Sequence, residues 1–313
     1  RKSIWQSRED MESNNEYWAP LKTITGKAKK VYFTPDGCYH KLNLYTLKNP
    51  ESGNYLINDI SIILQTNAKD LLISKVAKPQ LNSLIEIFAY PEYYLINDSV
   101  SDISNANNVR GLQQYGYNYL QELPGTLVEA EKISAIFTQN NWSANAHLGP
   151  AANESALKAI KSPGVLHIAT HGYFNMDSGR ELSTGENNPL FRSGLMLAGA
   201  GSVSGQINRG EDGILSAFEV LQLNLENTEL VALSACETAL GEVRNGQGVY
   251  GLQRAFMAAG AKALIMSLWQ VEDNATQELM NYFYHYWLNH KSIGKQEAFR
   301  IAQQEIMKKY QSP

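Results

Sequence analysis

Two apolar runs constrain this chain more than anything else in it: Val165-Leu166-His167-Ile168-Ala169-Thr170-His171-Gly172 and Leu230-Val231-Ala232-Leu233-Ser234-Ala235-Cys236-Glu237-Thr238. Each is of strand length, and each is nearly continuously apolar rather than alternating. Strands of that kind are buried on both faces, which requires a parallel sheet with helices on either side. Each run ends in a reactive side chain, His171 in one and Cys236 in the other. In an open parallel sheet the carboxyl ends of the strands share one rim, where ligands bind. A thiol and an imidazole meeting on that rim are the minimum equipment of a cysteine nucleophile.

The pattern around the two runs is consistent with this class. From about residue 83 the chain alternates strand-like and helix-like segments. Leu84 to Ala89 predicts a strand stopped at Tyr90-Pro91, and Thr126 to Thr138 carries apolar residues at helical spacing. Asn153 predicts a helix cap, and Ser216-Ala217-Phe218-Glu219 has the form of a capping box. Gly248 to Ala259 reads as a helix closed by Gly260, and Ala263 to Leu268 as a third buried strand. Asn274 and Ser292 are expected to cap the two last helices. Residues 29–82 form a predicted small N-terminal lobe, with strands at Val31-Tyr32-Phe33 and from Tyr55 to Leu64. Residues 1–28 read as a helix or linker leading in from an upstream region, and 83–313 as the main α/β domain.

Composition narrows the function classes. The formal net charge is -4, and the cluster Lys27, Lys29 and Lys30 is too small for the concentrated basic face that nucleic acid requires. No apolar stretch approaches the ~20 residues of a membrane span, so no membrane partner is expected. Cys38 and Cys236 are the two cysteines of the chain, too few for a disulfide scaffold or a Cys-rich zinc site. This usage fits a reducing, cytoplasmic setting that leaves a thiol free. No metal and no cofactor is expected, since no histidine pair has ligand spacing backed by carboxylates. His167 reads as a core residue, Cys38 as incidental, and His40, His147, His285 and His290 as surface residues.

The chemistry open to the pair follows from acid–base logic. A thiol attacks as thiolate, so Cys236 needs a base or a positive neighbour, and His171 supplies both. Gly172 has no Cβ to hold a carbonyl away from its N–H, so that N–H and the N–H of Cys236 are candidate oxyanion donors. Unpaired cysteines are also often small buried hydrophobes, and that reading stands beside the first. A third reading is a dinucleotide site at Gly246-Gln247-Gly248-Val249-Tyr250-Gly251, which matches G-x-G-x-x-G. It is weakened because Glu237 to Asn245 separate the glycines from the strand they should follow.

The residues also resemble a known family. His171-Gly172 after an apolar strand, Ser234-Ala235-Cys236-Glu237-Thr238, and Gly260-Ala261-Lys262-Ala263-Leu264-Ile265 before Trp269 together resemble the CHAT domain, of the caspase and separase clan of cysteine peptidases. Tyr32-Phe33-Thr34-Pro35-Asp36-Gly37, Leu123-Pro124-Gly125-Thr126 with Glu129, Ser193-Gly194-Leu195 and Asp212-Gly213-Ile214-Leu215 are similar to its other landmarks. The resemblance covers nearly the whole chain. It implies a caspase-like, mostly parallel sheet flanked by helices, with His171 as base, Cys236 as nucleophile and backbone oxyanion donors at Gly172 and Cys236. It further implies a carboxylate for a basic P1 side chain, with Asp273 the better match and Glu272 the next. The function implied is a cysteine endopeptidase cutting a protein substrate after Arg or Lys, behind an upstream helical-repeat regulatory region. A non-catalytic interaction module on the same fold is the alternative. Two departures stand out. Leu42-Asn43-Leu44 replaces the family's Pro-Phe pair, and the cysteine segment lacks the Q-A-C-x-G form, so aspartate specificity is not implied. Loops 175–213 and 238–247 flank the expected cleft and are expected to rearrange on activation.

Overall fold

In a computed structural model, the residues described are 11–69, 82–94, 112, 115, 117–174, 188–201, 211–235, 242–244, 248–268, 273–290 and 292–310. The chain divides into two compact units, Arg1–Lys78 with Tyr282–Pro313, and Pro79–Asn281.

In the first unit, β1 (Lys30–Phe33) pairs in parallel with β2 (Ser61–Leu64), Val31 opposite Ile62. Tyr55 to Leu64 is not one strand as expected. Leu56–Asp59 closes a helical turn; extended backbone resumes at Ile60 and the strand itself runs from Ser61. The Asn58-Asp59 pair explains the break: both are poor strand formers, and the Asp59 carboxylate accepts from Asn49 at 2.8 Å. Trp18, Leu44, Leu47, Leu56, Ile60 and Ile62 form the core here. The C-terminal helix Lys295–Tyr310 joins it through Arg300, whose Nη1 donates to the Ile57 carbonyl at 2.7 Å. That helix begins later than Ser292 predicted.

The second unit holds a five-stranded, all-parallel sheet, as the apolar runs demanded. Its strands are β3 (Leu84–Pro91), β4 (Ser143–Gly149), β5 (Val165–Ala169), β9 (Leu230–Ser234) and β12 (Leu264–Ile265). The three short strands β6 (Gly172–Phe174), β7 (Ser193–Met196) and β8 (Ile214–Ser216) build a separate antiparallel sheet. The five lie in the order β12-β9-β5-β3-β4. Counted along the chain this is 2-1-3-4-5 from the β4 edge, the doubly wound order whose switch point falls between the first and third strands, here β3 and β5. The mixed α/β architecture, with a mostly parallel central sheet flanked by helices, is consistent with a caspase-like fold.

Both faces of the sheet are covered, for the reason the sequence supplied. Leu166 and Ile168 of β5 and Val231 and Leu233 of β9 point to one face, where Leu157, Val220 and Phe256 from three short helices pack on them. His167, on the other face of β5, meets Glu129 of the long helix Pro124–Gln139. Asn153 and Ser216 cap as predicted. The Asn153 Oδ1 accepts from the Ala156 N–H at 2.9 Å, and Ser216 with Glu219 closes a full capping box.

Three expectations need correction. The helix over Gly248 to Ala259 starts only at Leu252, because Gly248–Tyr250 is a strand, β11, antiparallel to β10 (Glu242–Arg244). A hairpin therefore stands where the dinucleotide reading wanted a strand-to-helix turn. β12 is two residues long and half-buried rather than a long buried strand. His147 is no free surface residue: its Nε2 lies 2.8 Å from the Glu86 carboxylate and its ring stacks on Phe88.

Candidate active site

Parallel pairing aligns the strands that carry the two candidate residues. Val165 lies opposite Leu230 and Ala169 opposite Ser234. The sequence runs on from this last pair through Thr170 to His171 and through Ala235 to Cys236. His171 is thus delivered to the carboxyl end of β5, at the switch point. Cys236 and Glu272 lie outside the described residues. Asp273 is the first residue of the helix Asp273–Asn289.

His171 is half-buried and held from several sides. Its Nε2 lies 2.8 Å from the carbonyl oxygen of Gln121. A carbonyl only accepts, so Nε2 carries a hydrogen and donates it; in the neutral imidazole Nδ1 is then the basic nitrogen. The rings of Tyr93 and Tyr117 stand 5.3 Å and 5.4 Å from the imidazole, limiting its rotation.

The backbone of His171 is equally constrained. Its C=O accepts from the Met196 N–H at 2.9 Å, and its N–H donates to the Tyr93 hydroxyl at 3.4 Å. Tyr93 Oη lies 2.9 Å from Thr170 Oγ1, and the Thr170 hydroxyl donates to the Met196 carbonyl. Each hydroxyl has one hydrogen. Thr170 gives its own to Met196, so Tyr93 must donate to Thr170 and accept from His171. The four residues close a ring of hydrogen bonds at the end of β5, and Tyr93 and Thr170 are almost wholly buried within it.

Gly172 follows from the same ladder. It faces Leu195 across the antiparallel β6–β7 pair. The neighbouring pair, His171 with Met196, carries the hydrogen bond, so Gly172 occupies a non-bonded position and its N–H and C=O point off the edge of β6. The C=O takes the Tyr117 hydroxyl at 2.6 Å. The N–H lies on the same side, outside the ladder.

Two further contacts lie under the rim. Ser267, just beyond β12, donates its hydroxyl to the Ala235 carbonyl. Glu129 meets β5 and β9 together: its Oε1 is 3.1 Å from His167 Nε2, and its Oε2 accepts from the Ser234 hydroxyl at 3.1 Å. The His167 contact is close, but its geometry is not that of a hydrogen bond. His167 is the buried core residue expected, now with a carboxylate beside it.

Burial pushes the Tyr173 phenol well above its ordinary range, and Tyr94 upward by the same cause. These phenols are neutral at physiological pH and add no charge beside His171. Among the described residues no group of histidines, cysteines and carboxylates is arranged to hold a metal, and no helix is long and apolar enough to cross a membrane.

Sequence reasoning missed Tyr93, Tyr117, Gln121, Met196 and Ser267. None sits in a pattern with His171 or Cys236, since each comes from a different strand end or loop. The Ser-Ala-Cys segment did place Ser234, and Glu129 stood out as a landmark without a partner.

The CHAT domain family profile matches residues 14–313. Tetratricopeptide repeat protein 28 of Mus musculus is 36% identical over 92 residues, 29% of this chain and 4% of that protein. Its Homo sapiens counterpart is 27% identical over 169 residues, 49% of this chain and 7% of that protein. The chain thus spans less than a tenth of the length of these curated relatives.

Proposed function

The chain belongs to the CHAT domain family, of the caspase-like clan, and from that premise we propose that it is a cysteine endopeptidase with His171 as general base and Cys236 as nucleophile. One observation carries the reading. Nε2 of His171 donates to the Gln121 carbonyl, so in the neutral imidazole the basic nitrogen is Nδ1, at the end of the strand beside the one that leads to Cys236.

The steps follow from that orientation. Nδ1 takes the proton from the Cys236 thiol, and the thiolate attacks the carbonyl carbon of the scissile peptide. The carbonyl electrons move onto oxygen, where the outward N–H of Gly172 and the N–H of Cys236 receive them. The intermediate collapses, the C–N bond breaks, and the imidazolium returns its proton to the departing amine. Water, deprotonated by the same nitrogen, then hydrolyses the thioester. No cofactor takes part.

Specificity for Arg or Lys at P1 is assigned to Asp273, with Glu272 second. A carboxylate at the pocket floor pairs with guanidinium through two parallel bonds and with ammonium through one. Support comes from one turn further along the helix, where Gln277 donates to the Gly125 carbonyl at 2.9 Å and accepts from Lys132 at 3.1 Å. Those bonds tie the helix to the segment just after Gln121, the residue that orients His171. The tetratricopeptide repeats named in the relatives favour a helical-repeat region in the parent chain; that it lies upstream and governs access to the site, and that the setting is cytoplasmic, belong to the same proposal.

The test is to treat a cell lysate with the wild-type chain, with Cys236→Ala and with His171→Ala, and to read new N-termini by mass spectrometry. Cleavage after Arg or Lys by the wild type alone supports the proposal. A wild type that neither cleaves nor reacts with a peptidyl-arginine chloromethyl ketone, yet captures a protein intact, sinks it in favour of a binding module.

A further inference from the structure

We propose that the outer edge of β1 is a docking surface for one extended, acidic strand of a partner protein, added to the small sheet of the first unit. The inference is independent of the peptidase reading. β1 and β2 form a two-stranded parallel sheet. A pair of strands is marginal by itself, and each of its strands has an outer edge of backbone groups to satisfy. The ladder fixes which groups those are. The Lys29 carbonyl accepts from the Ser61 N–H at 3.0 Å, and the Phe33 carbonyl from the Gln65 N–H at 2.8 Å. Backbone groups alternate along a strand, so Lys29, Val31 and Phe33 face β2 while Lys30 and Tyr32 direct theirs away from it. On β2 the same alternation turns Ile62 outward.

The two edges are treated differently. At Ile62 a side chain stands in for a third strand: the Tyr45 hydroxyl accepts from the Ile62 N–H at 2.7 Å and donates to the Ile62 carbonyl at 3.0 Å. That edge is closed there. On β1, no group among the described residues bonds the N–H or C=O of Lys30 or Tyr32, and both residues are exposed, Tyr32 to 50%. The charge around the open edge selects its occupant. Lys27 and Lys29 lead into β1 and Lys30 opens it, all three exposed. Among the described residues no carboxylate pairs with Lys27 or Lys29. The Lys30 ammonium lies 5.3 Å from the centre of the Tyr32 ring. Glu297, which lies in the field of Lys30, gives both carboxylate oxygens to Arg300. A second copy of this chain would set the same lysines against one another, and lysine on an edge is one way sheets repel such pairing. An acidic strand meets the opposite situation. A carboxylate across from Lys30 gains an ion pair, and a β-branched or aromatic side chain across from Tyr32 gains packing. The main chain of the added strand supplies affinity, and its alternate side chains supply the choice.

The probes are two end-blocked heptapeptides, one alternating Glu with Val and one alternating Lys with Val. Each is titrated into the full chain while backbone amide exchange is read by NMR. The acidic peptide should bind and slow exchange at Lys30 and Tyr32 by about tenfold or more, with little change at Ile62, whose N–H Tyr45 already holds. The basic peptide should bind at least about tenfold more weakly. Lys29→Glu combined with Lys30→Glu should reverse the preference between the two. Tyr32→Pro removes an outward donor and breaks no bond to β2, so it should abolish binding while the melting temperature stays close to that of the wild type. The charge variant carries the test if the proline disturbs the fold. Raising salt from about 0.05 M to about 0.5 M should weaken the acidic peptide several-fold. No binding by the wild type, equal binding of the two peptides, or binding that leaves the Lys30 and Tyr32 amides unprotected would overturn the proposal. So would protection of those amides that grows with protein concentration alone, since the occupant would then be a second copy.

Discussion

Removing the carboxylate of Glu129 should destabilise the second unit far more than a single helix residue ordinarily does. Glu129 is 2% exposed and His167 fully buried, at an Oε1–Nε2 separation of 3.1 Å; the other oxygen accepts from Ser234. Glu129→Ala removes the carboxylate beside a ring nitrogen that water does not reach and takes the acceptor from a half-buried hydroxyl. A buried polar group left unpaired costs about 1 to 3 kcal/mol, and breaking a buried pair as a whole about 3 to 5 kcal/mol. The ring nitrogen and the hydroxyl taken together put the loss at roughly 4 kcal/mol. For a unit of this size each kcal/mol moves the melting temperature by about 2 to 4 °C, so a fall on the order of 10 °C is expected. Replacing both partners with apolar residues removes the penalty's source. Glu129→Leu with His167→Leu should therefore recover much of the loss, a coupling of about 1 to 3 kcal/mol in a double-mutant cycle. Urea denaturation of the wild type, the two single variants and the double variant supplies the four free energies. A single-variant loss below about 1 kcal/mol, or strict additivity, would refute the idea that the contact ties helix to sheet.

Other outcomes follow from the same coordinates. Tyr93→Phe keeps the ring against His171 but removes the hydroxyl between His171 and Thr170, so kcat should fall with KM nearly unchanged and stability should drop by about 1 to 2 kcal/mol; an unaltered kcat would dismiss Tyr93 as a positioning residue. Gly213 sits at φ +77° with its would-be Cβ 2.5 Å from the Ala200 backbone nitrogen, so Gly213→Ala should cost about 3 kcal/mol, measured by thermal melting; a loss under about 1 kcal/mol would contradict the packing. Arg300 holds the Glu297 carboxyl below its ordinary value of 4.5. The unfolded chain therefore binds the proton first as pH falls, and this stabilisation, present above 4.5, is lost as pH drops through the folded-state value. Urea midpoints measured between about pH 6 and about pH 3 should fall less steeply for Glu297→Gln than for the wild type; equal slopes would remove Glu297 as a source of acid sensitivity.

Much of the architecture was legible before any coordinates. Continuous apolar runs forced a two-sided parallel sheet, because a strand without a polar face cannot meet water. The caps at Asn153 and Ser216 were readable since capping is a local exchange between a side chain and N–H groups within three residues. Failures came where local preference was neutral. Gly248-Val249-Tyr250 suits a helix entry or a hairpin strand equally, and pairing with Glu242–Arg244 chose the latter. His147 had no partner in sequence because Glu86 reaches it only across neighbouring strands.

The candidate site divides the same way. Chain order alone set which side chains carry reactive groups and that each follows an apolar run, since residue chemistry and apolar burial are properties of short segments. Which imidazole nitrogen faces the Gln121 carbonyl, which hydroxyl holds which carbonyl, and which carboxylate lies beneath the strands were settled by three-dimensional packing. Gln121, Tyr93, Met196 and Ser267 arrive from separate elements, and hydrogen bonds that span a hydrophobic sheet leave no periodic trace along the chain.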